Sequence, residues 1–198
     1  MILAAFLAAA VELHADPAHS TATFTAKHMM VTNVRGQFNK LASTLDWDKD
    51  DPTKSTVTVN IDVNSVDTHV DKRDAHLKSP DFFDGAKCPE IAFRSNKVEK
   101  AGSDKYKVNG DLTMHCVTKP ATFEVTFDGK GIKAPWGTTV YAASATGKVK
   151  RSDWGLTWNK ALVTGGMLVS DDIQFDVDIE YVPNPPAAKN EAKAESKK

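Results

Sequence analysis

The chain has 198 residues, 41% of them hydrophobic, with 25 Lys and Arg against 26 Asp and Glu and a net charge of −1. This is one domain, or one domain with tails, with enough apolar residues for a core. The balanced charge excludes the basic footprint of a nucleic-acid binder, and two cysteines, Cys88 and Cys116, are too few for a disulfide-rich scaffold and lack zinc spacing.

Residues 2–11 are apolar, but a bilayer span takes roughly 20 such residues. The run fits the h-region of a signal peptide, with Ala8 and Ala10 as a small-residue cleavage pattern, although no Lys or Arg precedes it. Residues 1–10 therefore read as a signal-peptide remnant, which places the protein in the periplasm or outside the cell. A greasy first strand or helix is the alternative.

From residue 20 the dominant pattern is apolar–polar alternation, the mark of half-buried strands. Candidate strands are 20–29, 34–46, 57–63, 90–98, 105–116, 123–127, 138–150 and 173–181. In Val57–Val63, Phe123–Phe127 and Ile173–Tyr181 the odd-numbered residues are apolar and so share one face. Turn chemistry separates the strands at Asp48–Lys54, at Ala101–Asp104 and at Asp128–Gly131. The alternation breaks twice. Residues 65–86 predict a short helix near 68–79, ending at Ser79-Pro80, with Asp67 or Thr68 as N-cap. Residues 152–170 predict a long loop, a common place for a lid or binding loop. After Val182 no bulky apolar residue remains, and 183–198 read as a disordered tail.

The fold class is thus all-β. Eight antiparallel strands close into a barrel because closure removes exposed edges. Such a barrel is filled by side chains or holds one small ligand, and alternation alone leaves that choice open. No metal-protease, thiol-redox or nucleophile-elbow motif is present, and the histidines at 14, 19, 28, 69, 76 and 115 show no ligand spacing. Neither a catalytic residue nor a metal site is expected.

The order of short motifs resembles the YceI-like family, bacterial polyisoprenoid-binding proteins of lipocalin-like shape. The matching stretches are Asp16-Pro-Ala-His-Ser20, Phe24 to His28, Val34-Arg-Gly-Gln-Phe38, Ser65-Val-Asp-Thr68, Arg73-Asp-Ala-His-Leu77 and Ser79-Pro-Asp-Phe-Phe-Asp84. They continue with Pro89-Glu-Ile-Ala-Phe93, Gly110-Asp-Leu-Thr-Met114, Val117-Thr-Lys-Pro120 and Arg151-Ser-Asp-Trp-Gly155. Each is weak alone; their order across residues 16–181 is not. Two positions depart from the family pattern: Cys116 stands where Gly is usual, and Cys88 where an aromatic is common before Pro89.

The resemblance implies a lipocalin-like, lipid-binding barrel over 11–182, with the helix beside its mouth. Its ligand would be a long isoprenoid lipid, a polyprenyl phosphate or an isoprenoid quinone, carried or stored in the cell envelope without catalysis and without another cofactor. It leaves room for a homodimer and for transient contact with a membrane surface. A stress-related interaction module with a packed barrel, or an enzyme on a small apolar substrate, are the competing readings. Parity then nominates Phe24, Phe38, Val57, Val59, Ile61, Ile91, Phe93, Leu112, Met114, Phe123, Val125, Phe127, Phe175, Val177 and Ile179 as the apolar lining. His28, Arg35, Arg73, Arg151 and Trp154 are headgroup candidates, an imidazole or guanidinium being suited to a carbonyl or phosphate oxygen; for Arg73 a salt bridge to Asp71 or Asp74 is the plainer role. The turn at 101–104 sets Cys88 and Cys116 opposite one another, so a disulfide is a candidate, although strand parity opposes it unless Pro89 marks a bulge.

Overall fold

The structure, a computed structural model, describes residues 10–163 and 165–183. The expected signal remnant, save residue 10, and the expected tail, save residue 183, lie outside the described residues. The strands are β1 Val11–Ala15, β2 Thr21–His28, β3 Thr32–Phe38, β4 Leu41–Trp47, β5 Thr56–Asp62, β6 Val66–Asp67, β7 Glu90–Lys100, β8 Lys105–Met114, β9 Val117–Phe127, β10 Ile132–Lys133, β11 Thr139–Lys150 and β12 Val169–Val182. The helix α1 is Asp71–Lys78.

These strands form one antiparallel sheet that closes on itself. β12 pairs along its length with β11 on one edge, and with β1 and β2 in succession on the other. β1 with β2, β3 with β4, and β5 with β6 each fill one position in the ring. With β7, β8, β9, β11 and β12 that makes eight positions, while β10 hangs on the start of β11. The expected eight-stranded barrel is the observed one. β1 was not among the expected strands; its alternating Val11, Leu13 and Ala15 are too few to stand out. The expected strand 34–46 is two strands broken at Asn39–Lys40, where both backbone N–H groups turn to Ser65. β9 begins six residues early, running through Pro120, which faces Asp111 of β8. The edge of β9 away from β8 is paired only over 124–127, so the missing proline N–H breaks no ladder there.

The barrel has two unlike ends. At one, the turn end, loops join β4 to β5 through a 3-10 turn at Pro52–Lys54, β7 to β8, and β9 to β11 by way of β10. At the other, the helix end, lie α1, a 3-10 turn at Arg151–Trp154, and the segment leading to β12. The helix starts at Asp71, later than expected, and its N-cap is Val70 rather than Asp67 or Thr68. Instead Thr68 is tied to the first turn from outside: its N–H and hydroxyl donate to Asp74 Oδ1. Asp67 accepts the His69 N–H in a local turn. The predicted loop 152–170 holds the 3-10 turn and an Ala161–Met167 bridge.

A disulfide joins Cys88 to Cys116, with Cα atoms 5.3 Å apart. The parity objection fails because neither residue is in a strand: Cys88 precedes β7, and Cys116 sits with His115 in the β8–β9 turn at positive φ, 51° and 58°. Both central residues of that two-residue hairpin turn are left-handed, which is where glycine is usual.

Candidate functional site

The barrel encloses an apolar cavity of about 130 Å³. It begins at mid-barrel and runs to the turn end, where the exposed Thr56 and the half-buried Pro52 and Val98 stand in its wall. There β5 and β7 part: their ladder stops at Thr58–Arg94, and the next β5 N–H, from Val57, donates to Ser95 Oγ rather than to backbone. β7 is irregular between Ser95 and Lys97 and then pairs with β8 alone.

Most of the expected lining is present: Val57, Val59 and Ile61 from β5, Ile91 and Phe93 from β7, Leu112 from β8, Phe123, Val125 and Phe127 from β9, and Phe175, Val177 and Ile179 from β12. Val57, Val59, Phe123, Val125 and Val177 are only half-buried although they point inward. The area they keep faces the cavity.

Phe24, Phe38 and Met114 point inward too, but they do not line the cavity. Phe24 and Phe38 rings lie 5.6 Å apart, and Phe83, from the stretch after α1, meets Phe38 edge-on at 5.8 Å. With Met114, Trp154 and Leu156 they belong to the solid core of the helix end. Phe82 is buried outside that cluster, against His76 and Trp158.

The lining also includes residues that the parity argument did not reach: Leu45 and Trp47 on β4, Tyr106 and Val108 on β8, Ala143 and Ala145 on β11, Tyr181 on β12, and Pro52, Ser55 and Val98 at the turn end. The same alternation extended along β4, β8 and β11 would have found most of them. The alanines carry too little hydrophobicity to be noticed.

None of the five headgroup candidates lines the cavity. Arg151 is 5% exposed and is a strut: its Nε donates to Ser170 O at 3.0 Å and its Nη1 to Leu156 O, tying both ends of the 152–170 segment together. Burial lowers its pKa, against the opposing pull of Asp171. Trp154 is buried and donates its indole N–H to Leu112 O at 3.0 Å. Arg73 donates to the hydroxyl and carbonyl of Thr68, not to the carboxylates expected for it. Arg35 is exposed on β3 opposite Thr25, and His28 ends β2 opposite Thr32. All lie on or toward the helix end.

Polar groups in the cavity wall are few. Tyr181 is 2% exposed and its hydroxyl lies 2.7 Å from Ser43 Oγ. Ser43 donates its own proton to Thr58 O, so the tyrosine O–H donates to Ser43. Burial pushes the Tyr181 pKa up to about 12, only partly offset by that bond. Burial, and then the Asp104 carboxylate, raise the pKa of Tyr106. The Trp47 indole N–H is buried without a partner among the described residues. The lining contains no carboxylate, imidazole, thiol or amine. Outside the barrel, Asp16, His19 and Glu180 could offer three ligand atoms within 4.8 Å to a cation. His19 there pairs with both carboxylates, and its bond to Asp16 raises its pKa.

The barrel is closed around an almost wholly hydrocarbon lining, a setting suited to an apolar group, and solved structures similar to it share its architecture. The YceI-like domain family matches residues 13–181. A UPF0312 protein of Staphylococcus aureus strain bovine RF122 / ET3-1 is 35% identical over 166 residues, 84% of this chain and 94% of the relative. The YCEI protein of Campylobacter jejuni superimposes with a TM-score of 0.68 at 32% identity, covering 79% of this chain and 88% of that one. Burkholderia cenocepacia BcnA gives a TM-score of 0.73 at 23% identity, covering 84% and 98%. A polyisoprenoid binding domain from Saccharophagus degradans, implicated in plant cell wall breakdown, gives 0.63 at 16% identity, covering 87% and 98%. With the family matched over nearly all of the barrel and its sequence relatives aligned along it, the chain belongs to the YceI-like family.

Proposed function

We propose that the protein binds one long isoprenoid chain, a polyprenyl phosphate or the tail of an isoprenoid quinone, and carries or stores it in the cell envelope without catalysis. The observation that carries this reading is the cavity: a space inside the barrel with an almost wholly hydrocarbon wall. An isoprenoid offers methyls and methylenes, each worth about 0.8 kcal/mol when buried. The polyisoprenoid-binding relative from Saccharophagus degradans supports the ligand class. The Cys88–Cys116 disulfide supports an oxidising compartment, the periplasm or the cell exterior, because such bonds rarely persist in the cytosol.

The cavity's size sets how binding must proceed. At about 130 Å³ it is close to the roughly 150 Å³ that takes up one benzene, so it holds about one isoprene unit. A longer chain enters from the turn end and widens the interior as it threads. The helix end, packed with Phe24, Phe38 and Phe83, is the stop. The headgroup then stays at the turn end, beside Lys54 and Lys97, rather than near the arginines of the helix end.

Delipidated protein incubated with a polyprenyl phosphate or an isoprenoid quinone should give a one-to-one complex in native mass spectrometry. Protein extracted from a bacterial envelope should release a long-chain isoprenoid into solvent. Apo protein in both experiments would defeat the proposal and leave a barrel whose work is done on its outer surface.

A further inference from the structure

A glycine inside a strand weakens the strand and often marks a place where something must come close. Gly147 is such a residue. It stands on β11 in the inward row that includes Ala143 and Ala145, opposite Phe175 of β12. A Cβ at this position would lie 2.5 Å from Cδ1 and 2.7 Å from Cε1 of Phe123, and the three nearest atoms all belong to that ring. Phe123 therefore lies back against the wall, in the space that a side chain at 147 would fill. Phe93, reaching across from β7, meets it edge-to-face with centroids 5.1 Å apart, and both rings line the cavity.

Two similar sites show what is particular about this one. Gly110 lies under the Phe93 ring, but a side chain there would also strike the Arg94 carbonyl, so backbone packing alone demands glycine. Gly36 lies under Phe24 in the solid helix end, away from the cavity. At Gly147 the three nearest atoms all belong to the ring, so a side chain there presses on a ring that faces the cavity.

We infer that Gly147 sets the width of the cavity through Phe123, and so limits the ligand to a chain one isoprene unit across. Carbon atoms in contact sit about 3.5–4.0 Å apart, so a methyl at 147 moves the ring about 1 Å into a space of about 130 Å³. That narrows a space barely large enough for one benzene-sized group. The biological meaning of this width rests on the lipid-binding proposal, but the width itself can be read without a lipid.

The test uses the full chain, with benzene and naphthalene as cavity probes followed by NMR and geranylgeraniol as the lipid. Gly147→Ala should keep its circular dichroism spectrum and lose benzene affinity about tenfold, the loss expected when roughly two methylenes no longer fit. The double variant Gly147→Ala/Phe123→Leu should return to within about threefold of the parent. Phe123→Leu alone, which leaves the backbone row unchanged, should admit naphthalene that the parent refuses. The assignment is overturned by a parent that takes up no benzene, by Gly147→Ala binding benzene as the parent does, or by a double variant that stays weak. Should Gly147→Ala fail to fold, Phe123→Leu decides: no gain of naphthalene overturns the assignment. A parent that binds benzene but not geranylgeraniol overturns the lipid reading instead, and the width assignment is then judged on the probes alone.

Discussion

The two ends of this barrel are built from the same strands with the same alternation, yet one is solid and the other hollow. At the helix end, inward side chains meet material brought from outside the ring: Phe83 from the segment after α1, and Trp154 and Leu156 from the segment after β11. At the turn end the cavity reaches the barrel mouth, and midway along β11, between Tyr141 and Val149, the inward row shrinks to Ala143, Ala145 and Gly147. Inward orientation is thus a property of the strand, whereas filling is a property of what faces it. Hydrophobic residues packed against other side chains serve stability, and those that keep area toward the cavity leave a surface for something else.

Truncation at the two ends should separate those roles. Phe38→Ala removes a ring that is 2% exposed and touches two other rings. It should cost about 4 kcal/mol by urea denaturation, within the range for large-to-small core changes. Phe123→Ala, at a residue already facing a void, should cost about half as much while enlarging the cavity. Equal costs would mean that the turn end is packed as tightly as the helix end. Next in size is the disulfide, which staples the start of β7 to the β8–β9 turn at the helix end across a separation of 28 residues. Reduction, or Cys88→Ser with Cys116→Ser, should cost about 3 kcal/mol and leave benzene uptake by the residual folded protein unchanged.

This contrast also marks what the sequence makes legible. Period-two alternation shows which way Val57, Val125 or Ile179 points, because a strand allows only two faces. The eight-position ring and most of the cavity wall follow from it. It does not say whether Phe24 or Phe38 meets a void or a neighbour, since the neighbour, Phe83, comes from the 65–86 segment whose path depends on tertiary packing. Small wall residues such as Ala145 escape notice for the same reason that they matter: they contribute space. Arg73, Arg151 and Trp154 read as headgroup ligands because a charged or polar group in a motif suggests chemistry. In the fold their hydrogen bonds go to backbone or hydroxyl oxygens of Thr68, Ser170, Leu156 and Leu112 and hold the helix end together.

A smaller effect is expected from Tyr181, which stands where β1, β11 and β12 meet and lines the cavity. Its folded pKa, about 12, lies above the ordinary value of 10.0. The folded state therefore holds this proton more tightly, and its contribution is whole below pH 10 and is lost as pH rises through 12. The loss is about 2–3 kcal/mol at the top of that window. Tyr181→Phe should flatten the alkaline limb of the stability–pH curve. An unchanged limb would mean that other groups dominate it.

The smallest effect bears most directly on which end meets the ligand's polar group. Lys54 and Lys97 are the sequence neighbours of the lining residues Ser55 and Val98, each near a carboxylate, Asp51 at 3.4 Å and Glu99 at 2.9 Å. Exposed charges of this kind contribute about 0.2–1 kcal/mol, so Lys54→Gln with Lys97→Gln should weaken a polyprenyl phosphate only two- to fivefold. The loss should fade at high salt, because screening acts on exposed charges, and a neutral polyprenol of the same length should be unaffected. Arg35→Gln, on the far half of the barrel, should change neither ligand. If Arg35 weakens the phosphate and the lysines do not, the headgroup sits at the helix end. The chain would then have to pass through the core of Phe24, Phe38 and Phe83, whose tight packing would be a property of the unliganded state alone.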